Sequence, residues 1–246
     1  MDMNKHRLYG ENVNICGADV KAFWAKRAAL AGVGSTRSTL LGNHGGVDLT
    51  KMQNARDNEV CRECVGGEKQ RILEFGCGNG RWGEMLKDIV ESYSGIDFTP
   101  EFIEQARELF AGDGRFRFAV GSLTELPMDF IREGGEYTMG ICAGCVMYLN
   151  DDEASNFYAQ LENLPVAALF LKESVSTMEK RLTLVDFPSK ELQTDYNVVY
   201  RMPSEYEAFY RDELPGFHIE RKGWLYPPES GIWAETNSFY WYLVRK

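Results

Sequence analysis

The fold of this chain is decided by the stretch Arg71-Ile72-Leu73-Glu74-Phe75-Gly76-Cys77-Gly78-Asn79-Gly80. A short apolar run carries an acid near its end and then gives way to three glycines at alternate positions. Runs of this kind predict a buried strand, and glycine lets the backbone pass close to a ligand because it has no Cβ. The segment from Arg81 to Val90 is predicted to be a helix. The stretch therefore predicts a strand–loop–helix unit that holds a ligand.

A second acid, Asp97, ends the next predicted strand, Tyr93 to Asp97. In an open α/β sheet the carboxyl ends of the strands border one crevice, so we expect Glu74 and Asp97 to face the same ligand. Two acids suit a cofactor that carries an amine and a ribose diol. Gly78 to Gly83 also matches G-x-G-x-x-G, the dinucleotide fingerprint. A carboxylate at the strand end would repel a pyrophosphate, but NAD binding stays open as the alternative.

The composition narrows the class of protein. A chain of 246 residues suits one α/β domain with additions. Its net charge of −10 disfavours a nucleic-acid partner, because phosphate binding needs clustered Lys and Arg. No apolar run approaches the ~20 residues of a membrane span, and the N-terminus leads into no signal-peptide pattern. We therefore expect a cytoplasmic protein with a small-molecule substrate and no membrane contact.

Two C-x-x-C pairs, Cys61/Cys64 and Cys142/Cys145, superficially suggest zinc. The distance between the pairs along the chain is far longer than in a zinc ribbon, and free thiols are common in protein cores. We predict no metal site.

Strands and helices alternate through the middle of the chain. The predicted strands are Arg71 to Phe75, Tyr93 to Asp97, Arg115 to Val120, Tyr137 to Cys142 and Val166 to Leu171. This alternation predicts an α/β fold with a doubly wound, mainly parallel sheet. Two closing strands, Phe217 to Tyr226 and Ser238 to Arg245, form a hairpin and add an antiparallel strand.

The remaining segments are predicted to surround that sheet. Residues 1–66 form an N-terminal helical cap, with helices Ala18 to Leu30 and Asp48 to Val65 and with Asp48 as a helix N-cap. Residues 67–246 form the main domain. An insertion at about 174–202 follows the fifth strand, where ligands bind in such sheets, and it is predicted to be a lid.

The pattern E-x-G-x-G-x-G after a strand, with Asp97 and the antiparallel ending, resembles the class I S-adenosylmethionine-dependent methyltransferases. The resemblance covers about Arg71 to Lys246 and implies a seven-stranded Rossmann-like sheet with S-adenosylmethionine as the cofactor. It also implies a set of cofactor-binding residues: Glu74, Gly76, Gly78 and Gly80 in motif I, Asp97 on the ribose, Phe98 on the adenine, Ser122 and Leu123 after the third strand, and Cys142 at motif IV. Ser122 stands where the family often has Asp. The Asn/Asp-Pro-Pro-Tyr/Phe signature is absent at motif IV, which disfavours adenine N6 and glutamine amides as acceptors.

Methyl transfer is a direct displacement at the methyl carbon, in which alignment and desolvation carry much of the rate. An oxygen or protonated amine acceptor also needs a proton acceptor within reach. Residues after the fourth and fifth predicted strands are the catalytic candidates: Glu173, Tyr148 and Asp151. Substrate-binding candidates are Arg201, Tyr196, Tyr200 and Tyr206. Asp151 has a helix N-cap as its alternative role, and Arg201 a surface ion pair.

The sequence thus predicts an S-adenosylmethionine-dependent methyltransferase that acts on an O or N atom of a small molecule, such as a secondary metabolite or a glycan precursor. Three alternatives stay open. These are an NAD-dependent oxidoreductase, a cofactor-binding partner subunit without catalysis, and methylation of a protein.

Overall fold

The computed structural model describes residues 3–30, 43–44, 47–48, 50–189, 194–227 and 235–246. The helices are α1 (Gly17–Leu30), α2 (Thr50–Val65), α3 (Arg81–Met85), α4 (Pro100–Leu109), α5 (Met128–Glu133), α6 (Asp151–Glu162) and α7 (Pro203–Glu213). The strands are β1 (Arg7–Tyr9), β2 (Asn43–His44), β3 (Val47–Asp48), β4 (Gln70–Phe75), β5 (Val90–Asp97), β6 (Phe116–Val120), β7 (Tyr137–Ala143), β8 (Val166–Ser176), β9 (Leu182–Ser189), β10 (Thr194–Tyr200), β11 (Phe217–Trp224) and β12 (Thr236–Arg245).

The largest sheet has seven strands in the order β11-β12-β8-β7-β4-β5-β6. Strand β4 pairs parallel with β5 and β7, and β5 pairs parallel with β6. The closing strands β11 and β12 pair antiparallel. The predicted doubly wound, mainly parallel sheet with an antiparallel C-terminal strand is therefore confirmed.

By its internal contacts the chain forms two compact units. The glycine-loop unit comprises Ala25–Cys142 and Pro165–Phe170, and the tyrosine unit comprises Met1–Trp24, Ala143–Leu164 and Leu171–Lys246. The predicted division into a cap at 1–66 and a main domain at 67–246 stays a prediction.

In the glycine-loop unit, central strands and one amphipathic helix supply the core. Ile72, Leu73 and Ile96 are fully buried, as their β-branched or apolar character and parallel pairing favour. Helix α4 begins with Pro100, which is tolerated in the first turn, and it buries its apolar face, including Phe102 and Ile103. The strand end that precedes the glycine loop is held in place by this core.

The tyrosine unit contains a second, three-stranded sheet in the order β1-β9-β10. Both pairings in it are antiparallel, and β9 is the central strand. Two strands of this sheet, β9 and β10, therefore come from the predicted lid insertion. The third strand, β1, comes from near the N-terminus, and the sequence pattern did not indicate this pairing.

Among the predicted element boundaries that differ from the structure, three change the place of a residue named above. The helix after the glycine loop ends at Met85 rather than at Val90, because Val90 is buried and pairs with Gln70 at the start of β5. Asp48 pairs with Asn43 in the β2–β3 hairpin, so helix α2 begins at Thr50 and Asp48 is not its N-cap. The fifth parallel strand continues to Ser176, so Glu173 lies within β8 and not beyond its end.

Candidate functional site

The glycine loop between β4 and α3 is held by its own backbone. Gly76, Gly78 and Gly80 have φ angles of 71°, 53° and 88°, in the left-handed region that favours glycine. The N–H groups of Gly76 and Cys77 donate to the Ile96 carbonyl at 2.8 and 2.9 Å, and that of Gly80 donates to the Cys77 carbonyl at 3.0 Å. These three N–H groups are therefore already engaged within the protein.

Asp97 bridges the loop and the end of β5. Its Oδ2 accepts the Gly78 N–H at 2.9 Å, and its Oδ1 accepts the Thr99 N–H at 2.8 Å. Burial raises the pKa of Asp97, and the N–H groups of Thr99 and Gly78 oppose that rise. Each carboxylate oxygen has a second lone pair, so Asp97 can still accept a hydrogen bond from a ligand hydroxyl.

Glu74 lies one residue before the end of β4 and is 1% exposed. Its Oε2 accepts a hydrogen bond from the Tyr93 hydroxyl, a partner that the sequence did not indicate. Burial raises the pKa of Glu74 to about 8, against the hydrogen bond from Tyr93 and the charge of Arg81, while Asp97 adds to the rise. At neutral pH this carboxyl group is therefore mostly protonated, and a nearby cation would favour its ionised form.

The other predicted cofactor residues have mixed surroundings. Phe98, next to Asp97, is half-buried, whereas Leu123 and Cys142 are buried. The Ser122 hydroxyl shares a hydrogen bond of 2.8 Å with the Thr124 hydroxyl and accepts the Thr124 N–H at 3.2 Å. Their predicted contacts with an adenine stay predictions.

A buried ion pair follows the glycine loop directly. Nη1 of Arg81, the first residue of α3, lies 3.0 Å from Oδ2 of Asp57 in α2, and it also donates to Oδ1 of Asn54 at 2.8 Å. No sequence signal predicts this pair, because Asp57 lies in a charged helical segment in which nothing selects it from its neighbours.

In the tyrosine unit, three of the predicted residues form what we call the tyrosine cluster: Tyr148, Tyr196 and Tyr200. The hydroxyls of Tyr148 and Tyr196 are 2.9 Å apart, and Tyr196 also hydrogen-bonds Tyr200. Trp24 meets Tyr148 edge-on, with ring centroids 5.4 Å apart, and Phe23 lies 5.0 Å from Tyr196. Burial raises the pKa of Tyr196 well above its ordinary value, so its hydroxyl is neutral.

Glu173 anchors the turn that carries Tyr148. Its Oε1 accepts the N–H groups of Cys145 at 3.2 Å and Val146 at 3.0 Å, and its Oε2 accepts that of Met147 at 3.3 Å. Burial raises the pKa of Glu173 to about 7, against those N–H groups and the charge of Arg201. A pKa near neutrality suits a proton acceptor, but the role of general base stays a prediction.

Asp151 and Arg201 are bound to each other. Oδ1 of Asp151 accepts Nε and Nη2 of Arg201 at 2.8 and 2.6 Å, and Oδ2 lies 3.0 Å from Nη1 of Arg181. Burial acts to raise the pKa of Asp151, but the two arginines outweigh it and the pKa is lowered. A carboxylate held in this way is a weak proton acceptor. The N-cap of α6 is Asn150, so Asp151 does not have that alternative role, and its catalytic role stays a prediction.

The guanidinium of Arg201 is fully buried and also donates to the carbonyls of Val146 and Leu149, at 3.2 and 2.7 Å. It is therefore not a surface ion pair, and most of its donors are engaged within the protein. Tyr206 is buried in α7 and packs on Trp241, with ring centroids 5.3 Å apart, and it is not a member of the tyrosine cluster. These contacts favour structural roles for both residues over substrate binding.

Within the described ranges, no three His, Cys, Asp or Glu side chains are grouped so that they could hold a metal ion. In the same ranges, no helix is both long and apolar enough to cross a membrane.

Residues 72–164 match the family model of the methyltransferase domain. Comparison with curated protein sequences finds no significant match. Among solved structures, the chain is similar to phosphoethanolamine N-methyltransferase 1 of Haemonchus contortus, in complex with phosphoethanolamine and S-adenosylhomocysteine. It is 19% identical, with 94% of this chain and 49% of that chain covered and a TM-score of 0.68.

Two further structures cover nearly the whole of both chains. Magnesium protoporphyrin IX methyltransferase from Synechocystis PCC 6803, with bound S-adenosylhomocysteine, is 15% identical over 94% of this chain and 100% of that chain, with a TM-score of 0.63. The [4+2]-cyclase SpnF is 12% identical over 96% and 99%, with a TM-score of 0.68. At these identities the likeness shows the fold alone, which is shared by methyltransferases and a cyclase.

Residues 72–164 thus match a methyltransferase domain, and the seven-stranded sheet has the fold of the class I S-adenosylmethionine-dependent methyltransferases. The predicted superfamily, the enzyme class and the cofactor of that class are confirmed. The acceptor molecule is a matter for proposal.

Proposed function

We propose that this protein transfers the methyl group of S-adenosylmethionine to an O or N atom of a small molecule, such as a secondary metabolite or a glycan precursor. One observation carries the cofactor side of the proposal: the glycine loop uses its own N–H groups while two buried acids flank it. Gly76, Cys77, Gly78 and Gly80 all donate to protein acceptors.

A dinucleotide would bind this loop poorly, because its pyrophosphate needs free N–H groups. It would also face the carboxyls of Glu74 and Asp97, which repel phosphate when ionised. S-adenosylmethionine presents an ammonium group and two ribose hydroxyls instead, and all of these are donors. We assign the ammonium group to Glu74 and the hydroxyls to Asp97, and the glycines leave room for the methionine part.

The tyrosine cluster and two similar solved structures support the proposed small-molecule acceptor. Tyr148 and Tyr196 present hydroxyls that both donate and accept in a buried, aromatic setting. We propose that Tyr148 orients the acceptor and that Glu173 holds the turn on which Tyr148 lies. The neighbours named for magnesium protoporphyrin IX and phosphoethanolamine support a small-molecule acceptor.

The test is transfer of a labelled methyl group from S-adenosylmethionine to pools of small hydroxyl and amine compounds. We expect label in a small-molecule product whose mass has increased by one methylene. Asp97→Asn, which keeps the shape of the side chain, should transfer far less label than the wild-type protein at limiting cofactor.

Other outcomes would favour the alternatives. Label in precipitated protein would indicate a protein acceptor, and cofactor binding without transfer to any pool would favour a partner subunit. Conversion of a compound with no label in the product would indicate that the fold catalyses a different reaction in this chain.

A further inference from the structure

The ion pair between Arg81 and Asp57 is buried and does not lie at the protein surface. The exposed fractions of the two side chains are 7% and 0%, respectively, and Asn54 supplies a further acceptor to the same guanidinium nitrogen. Burying two charges is costly, and a pair of apolar residues often stabilises a protein as well. Stability alone is therefore a weak explanation for a pair of charges at this position.

The position of the pair suggests another role. Arg81 follows Gly80 directly, and its charge is one of the influences that oppose the raised pKa of Glu74. Without Asp57, the Arg81 guanidinium would lose the carboxylate with which it is paired, and the carboxylate of Glu74 would be a partner of opposite charge. Arg81 would then compete with any cationic group of a ligand for Glu74.

We propose that Asp57 is a positioning residue for the cofactor: it holds Arg81 in an ion pair, so that the Glu74 carboxylate remains available to the amino group of S-adenosylmethionine. Helix α2 is thereby part of the cofactor site, although it does not belong to the glycine motif. This inference rests on the proposed function, because it assumes that Glu74 binds that amino group.

The experiment compares four variants with the wild-type protein: Asp57→Asn, Arg81→Met, the double variant Asp57→Asn/Arg81→Met, and Asp88→Asn. The last is a matched control. Asp88 lies 2.6 Å from Arg62, which belongs to α2 like Asp57, and the side chain of Asp88 is 68% exposed. Its replacement removes an ion pair from α2 without freeing a charge beside Glu74. The affinity for S-adenosylhomocysteine is measured by calorimetry at several values between about pH 6.5 and 9, the range around the Glu74 pKa.

We expect Asp57→Asn to weaken binding by about tenfold, the equivalent of one pKa unit at Glu74, because Arg81 is released. The double variant should bind more tightly than Asp57→Asn, since it contains no released cation, and Asp88→Asn should bind like the wild-type protein. In the double variant the loss of the Arg81 charge raises the Glu74 pKa further. The pH at which its affinity increases should therefore be higher than in the wild-type protein.

A merely structural role predicts the opposite order, with the double variant as weak as Asp57→Asn or weaker, and this result would overturn the proposal. Wild-type affinity in Asp57→Asn would also overturn it. If Asp57→Asn does not fold, the double variant still decides, because neutral replacement of a buried pair is often tolerated; an unchanged pH profile there would contradict the proposal. A wild-type protein that does not bind S-adenosylhomocysteine would instead contradict the proposed function, and this inference with it.

Discussion

The glycine loop and the tyrosine cluster are built in opposite ways. The loop lies in one short stretch of chain, and backbone N–H groups and glycines with positive φ define it. The cluster and the rings around it come from distant segments, at Trp24, Tyr148 and Tyr196, and they meet through side chains. A site formed by the backbone of one short segment has a recognisable sequence pattern, whereas a site formed by side chains from distant segments has almost none. The two regions should also respond differently to substitution: the loop in cofactor binding, the cluster in turnover.

The largest effect is expected for Gly80→Ala. Gly80 has a φ of +88°, and a Cβ there would lie 2.7 Å from Cε2 of Phe110. Backbone strain and overpacking together should lower the free energy of unfolding by about 2–4 kcal/mol, measured by urea denaturation, and should greatly weaken binding of S-adenosylhomocysteine.

Gly112→Ala is the matched control for that variant. Gly112 has a similar φ of +84°, but no atom lies within 4 Å of a Cβ built there. Equal losses of stability in the two variants would mean that strain alone, and not close packing beside the loop, fixes glycine at position 80.

The next effect is expected for Asp97→Asn. The substitution replaces one acceptor oxygen by a donor that faces the N–H of Gly78 or Thr99. Binding of S-adenosylhomocysteine should weaken by about 1–3 kcal/mol, as measured by calorimetry. Asp113→Asn, which removes a half-buried ion pair with Arg115, is the control. Unchanged affinity in Asp97→Asn would remove this residue from the cofactor site.

Glu173→Gln tests the other region. The amide cannot accept from all three N–H groups that the carboxylate now binds, so the turn carrying Tyr148 should shift. We expect turnover to fall by about tenfold or more while the affinity for S-adenosylhomocysteine stays within about twofold, below 0.5 kcal/mol. Exposed Glu179→Gln is the control. A loss of cofactor affinity equal to the loss of turnover would contradict the separation of roles between the two regions.

The stability of the ligand-free protein should also depend on pH. The pKa of Glu74 is about 8 in the folded protein, against an ordinary value of 4.5. A carboxyl whose pKa is raised by folding stabilises the protein fully below its unfolded pKa, and that contribution is lost as the pH rises through the folded pKa. The ligand-free protein should therefore lose stability between about pH 5 and 8.

Glu74→Gln should reduce that slope, as followed by the free energy of unfolding in urea at each pH. Glu101→Gln, at an exposed position of α4, should leave it unchanged. An identical slope in Glu74→Gln and the wild-type protein would show that another group, such as Glu173, causes the pH dependence.

Much of the fold was predictable because its signals are local. The run before Gly76, the alternation of strands and helices and the closing hairpin each leave a pattern within a few residues. The errors arose where tertiary pairing overrides local preference. Val90 was predicted to end a helix, but it pairs with Gln70 and begins strand β5. Strand β8 continues through Lys172 and Glu173, although these polar residues were predicted to follow the strand.

The candidate site was predictable only in part, for the same reason. Glu74 and Asp97 follow from their places at strand ends. The partners that set their properties do not: Tyr93 looked like an ordinary core residue, and the bond between Asp57 and Arg81 joins different helices. Arg201 and Asp151 were selected by position, but their pairing depends on how distant segments meet.

The most direct test of the central claim is calorimetric titration of the wild-type protein with S-adenosylhomocysteine and, in parallel, with NADH. The engaged N–H groups of the loop and the two buried acids predict binding of S-adenosylhomocysteine and no binding of NADH. Binding of NADH alone would contradict the account, because the loop would then have to release its N–H groups to hold a pyrophosphate.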